Sequence, residues 1–77
     1  METISKNDVN WQALRKDLVS SFNNEKLWSL ASSHEEEIRI HENNMRDIAE
    51  DIVYIDAGYY DEVIAKHEPE WFNGFIK

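Results

Sequence analysis

Cysteine is absent from the 77-residue chain. Disulfides therefore cannot stabilise a domain that lies near the lower size limit for folding alone. A zinc site built on Cys/His spacing is excluded as well. One proline and two glycines punctuate the whole sequence, too few for an all-β fold with many tight turns. Long apolar runs are missing. The longest is Ile52 to Ile55, far short of the roughly 20 residues needed to span a bilayer. No basic flank leads into an apolar core near the N-terminus, so no signal peptide is expected. A cytoplasmic location follows by elimination. There is no linker, low-complexity tract or internal repeat, and one domain over 1–77 is expected.

Catalytic motifs are also missing. No serine sits in a Gly-x-Ser-x-Gly elbow, no thiol nucleophile exists, and no glycine-rich loop could cradle a phosphate. Acid pairs occur on helix surfaces, where water holds their pKa values near normal and gives no division into acid and base. The sequence therefore predicts a non-enzymatic protein with no cofactor.

Basic residues are scarce relative to acidic ones. Sixteen Asp and Glu face eight Lys and Arg, for a net charge of −8. Residues 1–33 hold four acids and four bases, so the whole excess lies in 34–77. Direct nucleic-acid binding is disfavoured, because that attraction comes from cations neutralising phosphates. A protein with a basic surface is the complementary partner. The plainer alternative is that the charge keeps a small protein soluble.

Helical periodicity dominates what is there. After an N-terminal extension over 1–7, Trp11, Leu14, Leu18 and Phe22 form one stripe, predicting a first helix over 8–22. Asn23-Asn24 reads as a stop, with a short helix over 25–31 after it. Ser33 and Glu36 have the spacing of a capping box, opening a main helix over 33–57. A heptad seam runs through Leu27, Ala31, His34, Ile38, His41, Met45, Ile48, Ile52, Ile55 and Tyr59. It would pack on the first helix or on a second copy, so a homodimer is one expectation. Gly58 suits a helix end, and the re-phased Tyr60, Val63, Ile64 and His67 predict a further helix over 59–67. The β-prone Ile52-Val53-Tyr54-Ile55 make a strand pair across 52–64 the competing reading. An aromatic tail over 69–77 closes the chain. The expected fold is all-α, a bundle of three to four helices with one long central helix.

Three groups are candidate sites. His34, Glu37 and His41 share a helix face and form a weak candidate metal set. The alternative is that the histidines fix register within the seam. Glu36, Glu37, Glu50, Asp51 and Asp56 form an acidic stripe left over after the expected surface pairs Glu35–Arg39 and Glu42–Arg46. Such a stripe could occupy a basic groove meant for nucleic acid; a solvated helix face is the alternative. Trp71, Phe72 and Phe75 could anchor a partner or fold back over the core.

In size, acidity and lack of enzymatic motifs, the chain is similar to small inhibitors encoded by phages and mobile elements, a likeness that immunity proteins and small adaptors share. It is compositional and transfers no site. The expectation is an inhibitor or modulator docking on a basic, nucleic-acid-handling protein, with no membrane partner. The rivals are a self-assembling helical protein and a metal-dependent helical dimer.

Overall fold

A computed structural model describes residues 4–77, so residues 1–3 of the expected N-terminal extension lie outside the described residues. The order is a 3₁₀ turn at Lys6–Asp8, α1 at Trp11–Ala31, α2 at Glu35–Ala57, α3 at Tyr60–Lys66 and a second 3₁₀ turn at Pro69–Phe72. The fold is all-α, with no named strand among the described residues. One isolated antiparallel bridge joins Val9 to Ile76.

α1 and α2 form an antiparallel hairpin of 21 and 23 residues. The expected single long helix is thus one of two near-equal arms. α1 runs straight through Asn23-Asn24, where a stop was expected. Both asparagines are exposed, so each costs only its weak helix propensity, about 0.7 kcal/mol. Phe22, Glu25 and Ser29 on the opposite side are half-buried in line with Leu14 and Leu18, and packing of that side holds the helix through the pair. Asn10 caps the start, its Oδ1 accepting from the Ala13 amide at 3.3 Å.

α2 begins one residue later than the capping box requires. His34 is the N-cap and makes no side-chain cap bond. Glu36 therefore falls at the second helical position, out of reach of the reciprocal contact. Glu35, Glu36 and Glu37 instead place negative charge on the positive end of the helix dipole. At the other end Gly58 adopts φ +83°. The Gly58 amide donates to Ile55 O at 3.1 Å, and Tyr59 donates to Tyr54 O at 2.8 Å, a stop that needs the left-handed conformation glycine tolerates. The strand pair across 52–64 does not form. Ile48, Ile52 and Ile55 lie one helical turn apart and pack toward α1, which settles that stretch as helix despite its β propensity.

The core is concentrated at one end. Val9, Leu14, Leu18, Ile55, Val63 and Phe72 are buried, and no residue from 19 to 50 is. The N-terminal turn, α3 and the tail converge on the open end of the hairpin. Trp11 stacks on Tyr60 with centroids 4.5 Å apart and meets Phe72 edge-on at 6.2 Å. Asn10 donates to Phe75 O, and Lys77 donates to Asp8 O at 2.8 Å, so the tail pairs back along residues 8–10. The other end of the hairpin projects from this cluster. The extents are 42 × 24 × 21 Å and the radius of gyration 13.9 Å, against about 11.5 Å for a compact chain of this length.

The heptad seam is half right. Ile38, His41, Met45, Ile48, Ile52 and Ile55 are buried or half-buried, while Leu27, Ala31, His34 and Tyr59 are exposed. The seam ends where each helix ends, because the hairpin turn sends Leu27 and Ala31 onto the antiparallel arm. Stability should therefore depend on one end only. Phe72→Ala should cost about 3–5 kcal/mol in urea unfolding, a large part of the few kcal/mol such a domain has. Leu30→Ala, at a site 76% exposed, should stay within about 0.5 kcal/mol of the parent. Equal effects would show that the distal arms carry a core of their own.

Candidate functional site

Asp51 is the buried charged residue among those described, 3% exposed. The expected acidic stripe put it on a solvent face. That placement assumed that only the seam of α2 is covered. α3 and the tail also pack over the flank beside the seam, and Asp51 lies beneath them. Lys66 Nζ donates to its Oδ1 at 3.1 Å, and His67 Nε2 donates to its Oδ2 at 2.9 Å. Both carboxylate oxygens are thus satisfied, as burial requires. His67 stacks on Trp71 with centroids 3.7 Å apart and planes 5° apart. Asp51 therefore ties α2 to the end of α3 and, through the imidazole, to the tail. Partial burial disfavours the charged form of Lys66, but the hydrogen bond to Asp51 and the charges of Asp51, Glu50 and Asp47 outweigh it and raise its pKa. That contribution to stability is complete below the ordinary lysine value near 10.4 and is lost as pH rises through the raised one.

The rest of the stripe is divided. Asp56 accepts from Arg15 Nε at 2.6 Å and from Nη2 at 3.1 Å, clamping the open end of α2 to α1. Glu50 lies 3.7 Å from Lys66 Nζ. Only Glu36 and Glu37 stay exposed in the first turn of α2 without an ion-pair partner among the described residues. Glu35 and Arg39 approach to 3.9 Å, as expected, whereas Glu42 and Arg46 are not paired. The stripe is dismantled because its members fall on different neighbours: Asp51 under the tail, Asp56 against α1, Glu50 beside Lys66.

The aromatic tail is divided too. Phe72 is 1% exposed and belongs to the core, so it cannot anchor a partner. Trp71 and Phe75 are half-buried, with one side on the fold and one toward an open groove. The candidate metal set is not assembled. His41 pairs with Glu25 across the hairpin, His34 stands exposed at the N-cap position of α2, and no group of three or more His, Asp or Glu among the described residues is placed to hold a metal.

What the fold does create is a groove of about 350 Å³ between α1 and α2 at the edge of the tail. Leu14, Leu18, Ile48, Trp71 and Phe75 form its apolar lining, and Asp17, Glu25, Asp47 and Asp51 its acidic one. A broader depression of about 740 Å³ borders only the cap residue Asn10 and the first half of α1. It is one side of a single helix rather than a cleft. Asp17 and Asp47 lie on different helices, so the charge pattern along neither helix alone marks them as one site. A signal was present: Asp17, Asp47 and Asp51 each immediately precede a residue of an apolar stripe, Leu18, Ile48 and Ile52. Residues in that position lie on one flank of their helix. An antiparallel hairpin turns the two equivalent flanks to the same side.

The fold and groove define a small all-α domain built on a helical hairpin, with an acidic cleft backed by aromatics. Compared with protein-family models, curated proteins and solved structures, the chain matches none.

Two measurements check these assignments. Asp51→Ala should lower unfolding stability by about 1.5–3 kcal/mol, the range for losing hydrogen bonds to a charged group, while Asn43→Ala on the exposed side stays within about 0.5 kcal/mol. Equal small effects would place Asp51 in solvent. The hydrogen bond from Arg15 holds the Asp56 pKa below the ordinary carboxylate value, against a smaller opposing effect of desolvation. Its contribution is present above about pH 4 and is lost as pH falls through the lowered value. Asp56→Asn should thus flatten the fall in urea midpoint below pH 4. A curve of unchanged slope would show that the pair is not formed in solution.

Proposed function

We propose that this protein is a non-enzymatic binding module that docks on a basic surface of another protein through the groove between α1 and α2. The observation that carries the reading is that groove: acids on both walls, aromatics at one end, and an open mouth. Both oxygens of Asp51 are already engaged by Lys66 and His67, and Glu25 is paired with His41. Asp17 and Asp47 are the exposed acids of the lining with no ion-pair partner within 4 Å among the described residues. They would meet a cationic side chain, and Trp71 and Phe75 offer apolar and cation–π contact to its stem and head. The site differs from the stripe expected on α2 alone: Glu36, Glu37, Glu50 and Asp56 contribute only to the surrounding field.

Modulation of a nucleic-acid-handling protein in the cytoplasm fits this chemistry, since a basic surface evolved for phosphates also accepts carboxylates. No helix among the described residues is long and apolar enough to cross a membrane. Self-association through the heptad seam is disfavoured, because α1 already occupies that seam.

A lysine- and arginine-rich 12-residue peptide is a suitable probe. Binding measured by calorimetry should weaken steeply with salt. Replacing Asp17 and Asp47 together by Lys should reduce affinity at least about tenfold beyond the effect of Asp61→Lys with Glu62→Lys, which changes net charge equally on α3. Equal losses from the two variants would mean that the groove has no role and that charge acts only as a diffuse field.

A further inference from the structure

The groove described above is one end of a longer face. On each arm, the residue preceding an inward-facing position lies on the groove side. On α1 these are Asp17, Ser21, Asn24 and Trp28, and on α2 Ile40, Asn44, Asp47 and Asp51. Each set follows spacings of three and four, which keep side chains on one face. Asp17, Ser21, Asn44, Asp47 and Asp51 line the groove, so the helical phase carries Trp28 and Ile40 onto the same side, toward the hairpin turn. Both are exposed, Trp28 at 65% and Ile40 at 58%. The face is thus apolar at the tail end, where Trp71 and Phe75 stand, acidic and polar in the middle, and apolar again at the turn end.

Geometry selects the occupant. Two packed helices leave a furrow that a third fills by lying along it, as in any helical bundle. α3 has seven residues and packs at the open end of the hairpin, so the furrow beyond it is open. From Asp17 to Trp28 is eleven residues, about 16 Å along the helix. A partner helix would cross that distance in about three turns. The acids in the middle of the face favour a cationic partner. A second copy is disfavoured, because each chain carries −8 and the pairing would set Asp17 and Asp47 against their own equivalents.

We infer that this face receives a basic amphipathic helix from a partner protein, with an apolar anchor toward each end, more than eleven residues apart because Phe75 lies beyond Asp17 beside Asn10, and cations between them. One anchor seats between Trp71 and Phe75 and the other between Trp28 and Ile40, while the intervening cations meet Asp17 and Asp47. This inference rests on the acidic-groove reading and adds to it the helical form of the partner and the second apolar anchor point.

The test uses an 18-residue alanine-based peptide with Leu at positions 1 and 15 and Arg at 4 and 8, together with a scrambled peptide of equal composition. The full chain should bind the patterned peptide at least about tenfold more tightly than the scramble. Trp28→Ala and Ile40→Ala should each weaken binding by about tenfold, with an unchanged salt slope and unchanged helicity. Both sites are exposed, so the variants should fold. Equal binding of the two peptides, or no effect at Trp28 and Ile40 while the Asp17/Asp47 variant still loses affinity, would overturn this inference and leave the acidic groove standing. Loss of nothing in either set would remove both. A parent chain that sediments as a dimer, and becomes monomeric with Trp28→Ala, would assign the face to a second copy instead.

Discussion

A carboxylate buried between helices must be met on both oxygens, and that requirement at Asp51 organises the open end of this molecule. Its two partners are adjacent residues, Lys66 and His67, at the end of α3. α3 can satisfy them only in one position along α2. The left-handed Gly58 turn reverses the chain immediately after α2, which brings those partners back to the level of Asp51. The imidazole then serves as a platform for Trp71, and Phe72 is delivered into the core beside Val9, Leu14 and Val63. A polar contact of this kind adds modest net stability but penalises alternatives strongly, because any other placement would strand a charge.

The consequence is a molecule of two unlike halves. At the open end, the N-terminal turn, α3 and the tail wrap the hairpin into a core. At the turn end, two arms face each other through half-buried Phe22, Ile38, His41 and Met45, with no further helix among the described residues packed over their outer sides. The proposed docking face lies across the boundary between the halves. A stable anchor beside an under-covered pair of helices suits the proposed role, since a further helix would complete packing that the chain leaves unfinished.

Much of the architecture was legible in the residues themselves. The absence of cysteine and the scarcity of glycine and proline pointed to helices. The spacing of Ile38, His41, Met45, Ile48, Ile52 and Ile55 identified the inward side of α2, and Gly58 identified its end. These signals are local: each depends on a period of 3.6 residues or on the backbone freedom of one residue. The break expected at Asn23-Asn24 failed because weak propensity at two exposed positions is overridden by packing on the opposite side. The expected capping box at Ser33 failed because the chain enters α2 one residue later, a choice made by the turn between the arms.

The candidate site followed the opposite logic. Glu36, Glu37, Glu50, Asp51 and Asp56 look equivalent on a helical wheel, and the structure gives them different fates. Asp51 is buried, Asp56 is clamped to Arg15, Glu50 neighbours Lys66, and the remaining two face solvent. The sequence alone determined the helical class, the inward side of α2 from Ile38 to Ile55 and of α1 from Trp11 to Phe22, and the sign of the charge, because these properties belong to single segments. Only the tertiary structure decided that Asp17 joins Asp47 across a groove, and that Trp71 stays at its edge while Phe72 is lost to the core. Those relations hold between segments distant in sequence, and they exist only once an antiparallel hairpin has turned equivalent flanks of two helices to the same side.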